Sequence, residues 1–240
     1  MAVRSRALAL ASLQKNVVAC RLCQRLVRWR EKVARTKVKR FADEEYWGKP
    51  VPSFGDPSAR VLLVGLAPAA HGGNRTGRMF TGDNSGQWLY RALYKAGFAN
   101  QPHSIDRHDG LTLTDCYITA ALRCAPPQNK PTARERANCR RYLLQEIELL
   151  DNVCVVIGLG RIGFEAALDA YRAVGRIAFA TKPKFAHGAL YRFGALRFLA
   201  SFHPSQQNTF TGRLTEPMLD AIFRTAKREC QRYKKMLSTR

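Results

Sequence analysis

A loop rich in ligand-binding side chains follows the first strongly hydrophobic segment of the chain. Residues 61–64 are four consecutive aliphatics, which predict a strand buried on both faces. A strand that ends in a polar loop delivers side chains to the rim outside the carboxyl end of a sheet, where open α/β folds bind ligands. The side chains of this loop that could position a ligand are His71, Asn74, Arg75, Thr76, Arg78, Phe80, Thr81 and Asp83. Taken alone, the loop predicts a binding site but not its chemistry, because glycine-rich strand-to-helix turns are common.

Polar groups also follow two later predicted strands. The strand at 115–122 runs into Gln128 and Asn129, and the strand at 197–202 ends in His203-Pro204-Ser205. The carboxyl ends of parallel strands meet at one edge of a sheet, so we expect the three loops to converge on a single site.

The remaining segments complete an α/β pattern. Helices are predicted from Ser85 to about 97, after the cap Thr132, and from 215 to about 235, and a third strand opens the segment 153–163. Four strands that alternate with helices predict a mostly parallel sheet with helices on both faces.

The glycines of segment 153–163 have a spacing similar to that of dinucleotide-binding motifs. No acidic residue stands at the end of a following strand, and the segment lies late in the chain. We therefore assign Gly158, Gly160 and Gly163 to close packing between strand and helix.

Four further segments lie outside the alternating pattern. Residues 5–35 are predicted to be helical and strongly basic, residues 36–58 a surface connector, and residues 185–193 a short hairpin arm with His187. A polar loop at 99–111 holds two histidines and two aspartates without regular spacing, which favours a solvated loop over a metal site.

The charge of the chain indicates its class of partner. Forty Lys and Arg residues against eighteen Asp and Glu give a net charge of +22. Such a surface repels itself unless a polyanion neutralises it, which favours nucleic acid first and an anionic membrane surface second. No apolar run approaches a membrane span, and the first twelve residues lack a convincing secretory segment. We expect a cytoplasmic, nucleoid-associated monomer.

Length and cysteine content bound the organisation. The 240 residues suit a single domain over 1–240, with residues 1–58 as a basic N-terminal helical extension. Seven cysteines in a cytoplasmic protein predict thiols or metal ligands rather than disulfides.

Three motifs resemble those of the uracil-DNA glycosylase superfamily, most closely its family 5, the type B enzymes. They are GLAPAAHGGNRTGRMFTGD at 65–83, RCAPPQNKPT at 123–132 and HPS-x-x-N at 203–208. The resemblance extends from Cys20 to about residue 228. It implies an α/β/α sandwich around a four-stranded parallel sheet, removal of a deaminated base from DNA, and an iron–sulfur cluster.

The resemblance also implies roles at the site. Hydrolysis of an N-glycosidic bond builds positive charge on the sugar and negative charge on a base that must first be flipped out of the duplex. Phe80 corresponds to the residue that stacks on this base, and His203 to the donor that binds its oxygen. Asp83 corresponds to the residue that positions water or stabilises the sugar cation, and it can also cap the helix that follows. Asn129 is the best candidate for contact with the base edge.

Other positions are expected to line the pocket or bind DNA. Gly65, Ala67 and His71 are expected around the base. Expected DNA contacts are Arg75, Arg78, Ser205, Gln206, Asn208 and Arg213. The loop 206–213 lies where the superfamily inserts residues into the space left by the base, and basic residues of the N-terminal helix would bind phosphates.

The expected cluster ligands are Cys20, Cys23, Cys124 and Cys139. Four thiolates are the usual set for a [4Fe–4S] centre, and two pairs far apart in sequence would staple the N-terminal helix to the middle of the domain. A zinc site would satisfy the same spacing, so the residues alone leave the metal open, and it is the resemblance that favours iron–sulfur.

The chain departs from better-known relatives in ways that bear on its substrates. Leu66-Ala67-Pro68 offers no group able to activate water, and Ala120 stands where other families place a base-reading Asn. Both fit family 5, whose looser, more apolar pocket accepts hypoxanthine, xanthine or ethenocytosine as well as uracil. Ala69 and Met79 differ from the Gly and Pro expected there, which bears on the shape of the pocket.

These observations predict a monofunctional glycosylase of base excision repair. No lysine in the motifs is placed to form a Schiff base, so the expected product is an abasic site. A uracil-only enzyme like family 4 and a non-catalytic DNA-binding protein are the alternatives. The +22 charge argues against a hydrolase of free nucleotides.

Overall fold

The chain folds into an α/β/α sandwich around a six-stranded mixed sheet. The computed structural model describes residues 3–238. The helices are α1 (Val3–Val18), α2 (Gln24–Thr36), α3 (Gly73–Thr76), α4 (Asn84–Ala96), α5 (Ala133–Leu149), α6 (Gly160–Ala173), α7 (Gln206–Phe210) and α8 (Glu216–Ser238). The strands are β1 (Phe54–Gly55), β2 (Val61–Gly65), β3 (Cys116–Ala120), β4 (Val155–Leu159), β5 (Leu190–Phe193) and β6 (Leu196–Ser201).

The sheet has the strand order β1-β3-β2-β4-β6-β5. Its four central strands are parallel, with Val61 of β2 in register with Cys116 of β3 and Val155 of β4. This confirms the predicted four-stranded parallel core. Two short antiparallel edge strands, β1 from the connector and β5 from the hairpin arm, extend it to six.

Alternation along the central strands divides the core into two apolar layers. Leu63, Ile157 and their neighbours pack with helices α4 and α8 on one face of the sheet. Leu62, Val156 and Phe198 pack with α5 and α6 on the other. Both faces are covered, so β2 and β4 are hydrophobic throughout, whereas β3 and β6 also carry Thr119 and Arg197.

The glycines around the third parallel strand serve packing, as predicted. A Cβ on Gly158 would overlap the backbone of Phe164, and one on Gly163 would overlap the carbonyl oxygen of Val64. Helix α6 can therefore lie directly on β2 and β4 only because both positions lack a side chain.

The N-terminal segment is more closely integrated than the sequence predicts. Residues 5–35 form two helices rather than one, with a non-helical turn at 19–23 that contains Cys20 and Cys23. Gln14 on α1 donates a hydrogen bond to Glu146 on α5 over 2.8 Å. No helix within residues 3–238 combines the length and apolarity needed to cross a bilayer.

The connector at 36–58 is only partly a surface segment. Val51 is fully buried, and its N–H donates to the carbonyl of Arg123 over 2.7 Å. The segment also contributes β1, which pairs with β3 at the edge of the sheet. Hydrophobic residues between its prolines anchor it, a feature that its lack of periodicity concealed.

Candidate active site

The loops after β2 and β6 meet at the carboxyl edge of the parallel sheet. The rings of Phe80 and His203 lie 5.6 Å apart between centroids and are tilted by 32°. A Cβ on Gly65, at the end of β2, would lie 3.1 Å from Cζ of Phe80. The structure thus brings together three predicted site residues from two distant motifs.

Phe80 is held in an unusual backbone conformation. Its φ is +54°, in the left-handed region that bulky residues rarely adopt. Tyr90 Oη donates to the carbonyl of the preceding Met79 over 2.9 Å, and a Cβ on Gly86 would overlap the carbonyl of Phe80. Helix α4 therefore fixes the strained turn, and backbone strain of this kind is typical of functional sites.

His203 is a neutral imidazole at physiological pH. Burial lowers its pKa to about 4 because the charged form loses hydration. Asn208 Nδ2 donates to the His203 carbonyl over 2.8 Å and so fixes its backbone. A Cβ on Gly160 would lie 3.3 Å from Cβ of His203, so α6 begins directly beside it.

Asp83 combines a structural contact with an unusual electrostatic environment. Its Oδ1 accepts the Gly86 N–H over 2.8 Å, which confirms the predicted cap of the following helix. A Cβ on Gly72 would overlap Oδ2, so this oxygen lies against the backbone of the same loop. Burial raises the pKa of Asp83, while the helix N–H groups and the charges of Arg75 and Arg40 partly offset the rise.

Arg75 and Arg78 lie beneath the surface, which disagrees with the prediction that they contact DNA. Arg75 donates to the carbonyls of His71 (2.9 Å) and Gly82 (2.7 Å) and pairs with Glu44. Arg78 is 4% exposed and bonds Thr81, Ser104 and Asp109. Both guanidinium groups are bonded to protein acceptors, so they support from within the segment between β2 and α4 (residues 66–83), which we name the site loop.

Two of the residues expected around the base, His71 and Ala67, have surroundings other than the Phe80–His203 pair. His71 is half-buried, with Nδ1 3.0 Å from Tyr46 Oη, and burial together with the charges of Arg40 and Arg75 lowers its pKa. Ala67 packs with the apolar group around Leu26 and Cys124, on the cysteine side of the loop.

The polar group at Asn129 is separate from the Phe80–His203 pair. Asn129 is exposed, and its side chain has no hydrogen bond within residues 3–238. Gln128 and Asn129 both have a positive φ, at +53° and +57°. The positive φ values are a finding of the structure, and within residues 3–238 no ring contact or hydrogen bond joins this turn to the Phe80–His203 pair.

The segment after β6 carries the most exposed predicted contacts. Gln206 is exposed on α7, and exposed Arg213 lies over the ring of Phe202 at 4.6 Å. Ser205 accepts the Asn208 N–H over 2.9 Å through its carbonyl. Phe210 is 77% exposed, a residue that the sequence analysis did not single out. The sequence feature that could have identified Phe210 is that it is the one aromatic residue in the polar segment QQNTFTGR.

The four predicted ligand cysteines line one small apolar cavity. They come from the α1–α2 turn, the segment after β3 and helix α5. Among the residues described, no three His, Cys, Asp or Glu side chains are arranged to hold a single metal ion. The cysteines thus surround a space without converging on one point.

A buried arginine borders this cavity without an acidic partner. Arg30 is 2% exposed and donates to Cys124 Sγ over 2.9 Å and to the Cys20 carbonyl over 3.3 Å. Its Nε is buried without a partner, and no ion pair within residues 3–238 involves it. A buried cation calls for a negative neighbour, so the residues present fit an anionic group bound by the cysteines.

The comparisons with known proteins agree with this architecture. The sequence profile described as "Uracil DNA glycosylase superfamily" matches residues 52–227. The chain belongs to this superfamily.

Its relatives include Type-5 and, at lower identity, Type-4 uracil-DNA glycosylases. It is 50% identical over 222 residues to the Type-5 uracil-DNA glycosylase of Mycobacterium bovis, covering 92% of this chain and 81% of that one. It is 51% identical over 215 residues to the Type-5 uracil-DNA glycosylase of Thermus thermophilus, covering 89% and 95%. It is 29% identical over 152 residues to the Type-4 uracil-DNA glycosylase of Thermotoga maritima, covering 63% of this chain and 67% of that one.

Proposed function

We propose that this protein is a monofunctional uracil-DNA glycosylase that flips uracil out of DNA and hydrolyses its N-glycosidic bond. The observation that carries the proposal is the meeting of Phe80, His203 and Gly65 at the carboxyl edge of the sheet. The identity of about 50% with Type-5 uracil-DNA glycosylases supports it.

The reaction needs the flipped base to be held and its developing charge to be stabilised. The rigid ring of Phe80 offers a face on which a planar base can stack. His203 lies beside it and, being neutral, can donate one ring N–H to a base oxygen as the glycosidic bond breaks. Such a preorganised donor stabilises the departing anion without having to give up a proton.

The carboxylate of Asp83 supplies the complementary charge. It stabilises the positive charge on the sugar and accepts the proton of the attacking water as the new C–O bond forms. Its raised pKa makes it a better base than an exposed aspartate. The base leaves with the electrons of the broken bond, and the sugar retains the hydroxyl.

Apolar residues at two positions support a range of bases wider than uracil. Ala120 ends β3 with a buried methyl group, and Leu66-Ala67 precede Pro68 without a polar side chain. A pocket with few hydrogen-bonding groups discriminates weakly between bases, because few of its polar groups are left unpaired when a different base binds. We therefore include hypoxanthine, xanthine and ethenocytosine among the proposed substrates. We further propose that the enzyme acts in base excision repair of nucleoid DNA and that it is a cytoplasmic monomer.

Contact with the duplex would come from the segment after β6. Phe210 is an exposed apolar wedge of the kind that enters a base step, and Ser205, Gln206, Asn208 and Arg213 lie around it in the sequence. This assignment does not use Arg75 or Arg78, which are buried.

We further propose that Cys20, Cys23, Cys124 and Cys139 hold a [4Fe–4S] cluster. The unpartnered Arg30 cation supports an anionic occupant, and the separation of the thiols supports one larger than a single ion. When bound, such a cluster would cross-link the α1–α2 turn to β3 and α5. Iron and acid-labile sulfide in equal amounts would support this assignment, whereas one zinc per chain would contradict it.

The first test is single-turnover cleavage of labelled duplexes. Each duplex would carry uracil, hypoxanthine, xanthine or ethenocytosine, and alkali would convert abasic sites into strand breaks. We expect cleavage of several bases. Cleavage of uracil alone would indicate a family 4-like range, and DNA binding without any cleavage would indicate a binding protein that kept the fold.

A further inference from the structure

A loop expected to be solvated is instead anchored to the site. Residues 101–110, which we name the flanking loop, carry Asp109, whose Oδ2 pairs with Arg78 Nη2 over 2.6 Å with both side chains buried. Ser104 Oγ lies 2.6 Å from Thr81 Oγ1, and its carbonyl accepts the Gly82 N–H over 3.0 Å. The flanking loop is therefore fixed beside the residue that precedes Asp83.

This anchoring positions a cation over a tryptophan of the connector. The guanidinium carbon of Arg107 lies 4.6 Å from the ring centroid of Trp47, and Nζ of Lys49 lies 5.4 Å from the same ring. Trp47 is fixed by its own contacts, because Nε1 donates to the Pro50 carbonyl over 3.0 Å and its N–H to the Arg75 carbonyl over 2.7 Å. The indole thus preorganises two long, otherwise flexible side chains.

The two cations have no counter-ion in the part of the chain that the structure describes. Both Arg107 and Lys49 are exposed, and neither forms an ion pair within residues 3–238. Arg107 Nε donates to His108 Nε2, and exposed Asp106 accepts the His108 N–H. A third exposed cation, Arg40, lies close enough to the site for its charge to lower the pKa of Asp83.

We propose that Arg107 and Lys49, held on Trp47, bind the phosphate backbone of the DNA duplex beside the flipped base. This inference rests on the proposed function. Continuity with the site loop through Arg78 and Asp109 and the net charge of +22 favour DNA over an acidic protein. A guanidinium can bind a phosphate through two N–H groups, whereas the ammonium acts as a point charge.

The test is binding of an undamaged duplex over a range of salt concentrations, read by fluorescence anisotropy. Each phosphate contact adds about 0.9 to the slope of log affinity against log salt. We expect Arg107→Ala and Lys49→Ala each to reduce the slope by about this amount, and the double variant by about twice as much. When the salt concentration rises from about 50 to about 200 mM, the affinity of every protein falls. The fold-loss of affinity of each single variant should be about one third of the wild-type fold-loss.

Arg172→Ala is the matched control. Arg172 is exposed and lies 4.9 Å over the ring of Phe179, but at the end of α6 remote from the carboxyl edge of β4. The Arg172→Ala substitution removes the same charge and the same type of cation–π contact. Its slope of log affinity against log salt should equal that of the wild type. An unchanged slope in Arg107→Ala, or an equal loss in Arg172→Ala, would overturn the proposal.

This readout separates the surface from the chemistry. An undamaged duplex offers no base to excise, so a reduced slope would support the phosphate contact even if the wild type cleaved nothing. Conversely, efficient excision by the wild type together with an unchanged salt slope in Arg107→Ala and Lys49→Ala would support the glycosylase function and contradict the proposed phosphate contact.

Discussion

Two side chains at the carboxyl edge have pKa values moved in the directions that glycosidic hydrolysis needs. Burial raises the pKa of Asp83 and lowers that of His203 to about 4. Burial disfavours the charged form of each group, and the roles proposed above follow from this: a carboxylate that accepts a proton more readily and an imidazole that stays neutral and donates. The same Asp83 also caps α4, so a test must separate charge from capping.

Asp83→Asn makes this separation. Asparagine caps helices about as well as aspartate, so the fold should be retained while the charge is lost. We expect the single-turnover rate on uracil DNA to fall by about 100- to 10,000-fold, with DNA affinity unchanged. Asp83→Ala should add a loss of about 1 kcal/mol in stability from the missing cap. A normal rate in Asp83→Asn would remove the carboxylate from the mechanism.

The pH dependence of cleavage should reflect the raised pKa of Asp83. The active form is the carboxylate, so the rate should decline as the pH falls through a value above the ordinary aspartate range. His203 stays neutral until about pH 4 and does not contribute to this decline. The acid limb should therefore disappear in Asp83→Asn, which a pH series of single-turnover rates would reveal. Persistence of the limb would assign it to another group.

At the scale of elements, short segments outside the sheet determine the shape of the site. Helix α7 presents Phe210 at 77% exposure, and the flanking loop supports the site loop through the Arg78–Asp109 pair. Neither belongs to a regular core element, and each is held by a few specific hydrogen bonds and ion pairs. A substitution in α7 should therefore affect excision, whereas a substitution of the Arg78–Asp109 pair should affect stability.

Phe210→Ala should slow excision from duplex DNA more than from single-stranded DNA. A wedge offsets the cost of unstacking, which is a few kcal/mol per step and is smallest in a single strand. Tyr94→Ala removes another exposed aromatic, on α4, and should leave both rates unchanged. Equal slowing on the two substrates would show that Phe210 acts other than as a wedge.

Asp109→Ala should destabilise the protein by about 3–5 kcal/mol, because it leaves Arg78 buried without its partner. Chemical denaturation would measure the loss, and exposed Asp106→Ala should change the stability by less than about 0.5 kcal/mol.

The pH dependence of this contribution has a definite sign. Burial alone would raise the pKa of Asp109, but hydrogen bonds from Arg78 and two backbone N–H groups hold it below the ordinary value. Its contribution is therefore present at neutral pH and lost as the pH falls through that lowered value. Equal stability of the Asp109→Ala and Asp106→Ala variants would contradict the structural role of the pair.

At the scale of the whole molecule, the cysteine cavity joins segments that are distant in sequence. It lies between the α1–α2 turn, the segment after β3 and helix α5, next to the buried network of Arg123 and Glu146. A group bound there would fasten the basic N-terminal helices to the catalytic domain. Its loss should therefore loosen the N-terminal segment before the sheet.

Cys139→Ser should reduce the iron content and expose α1 and α2 to proteolysis. Cys116→Ala changes a buried thiol in the core away from the cavity and should keep the iron content of the wild type. Arg30→Met should retain iron at first but release it faster under oxidation, because the anionic group loses its buried counter-charge. Metal analysis and limited proteolysis would measure these effects, and equal iron in the Cys139 and Cys116 variants would contradict the ligand assignment.

Local patterns were sufficient for the elements and for most of the site loop. Four predominantly hydrophobic segments separated by helical segments determined the parallel sheet, since burial on both faces favours hydrophobic residues at most positions of a strand. The cap at Asp83 and the capping box from Thr132 to Glu135 were likewise local, because capping involves neighbouring residues only. The short edge strands β1 and β5 carry too few residues to produce such a signal.

Tertiary contacts decided which polar groups point inward. The sequence determined that Arg75 and Arg78 stand in a ligand-binding loop, but only the fold supplied Glu44 and Asp109 as their partners and buried them. Likewise, the sequence marked 99–111 as polar, whereas the structure fixed that loop to the site and set Arg107 over Trp47. Hydrophobic periodicity and residue propensity act within a few residues, whereas each of these two arginines pairs with a carboxylate 31 positions away, a contact that only the folded chain creates.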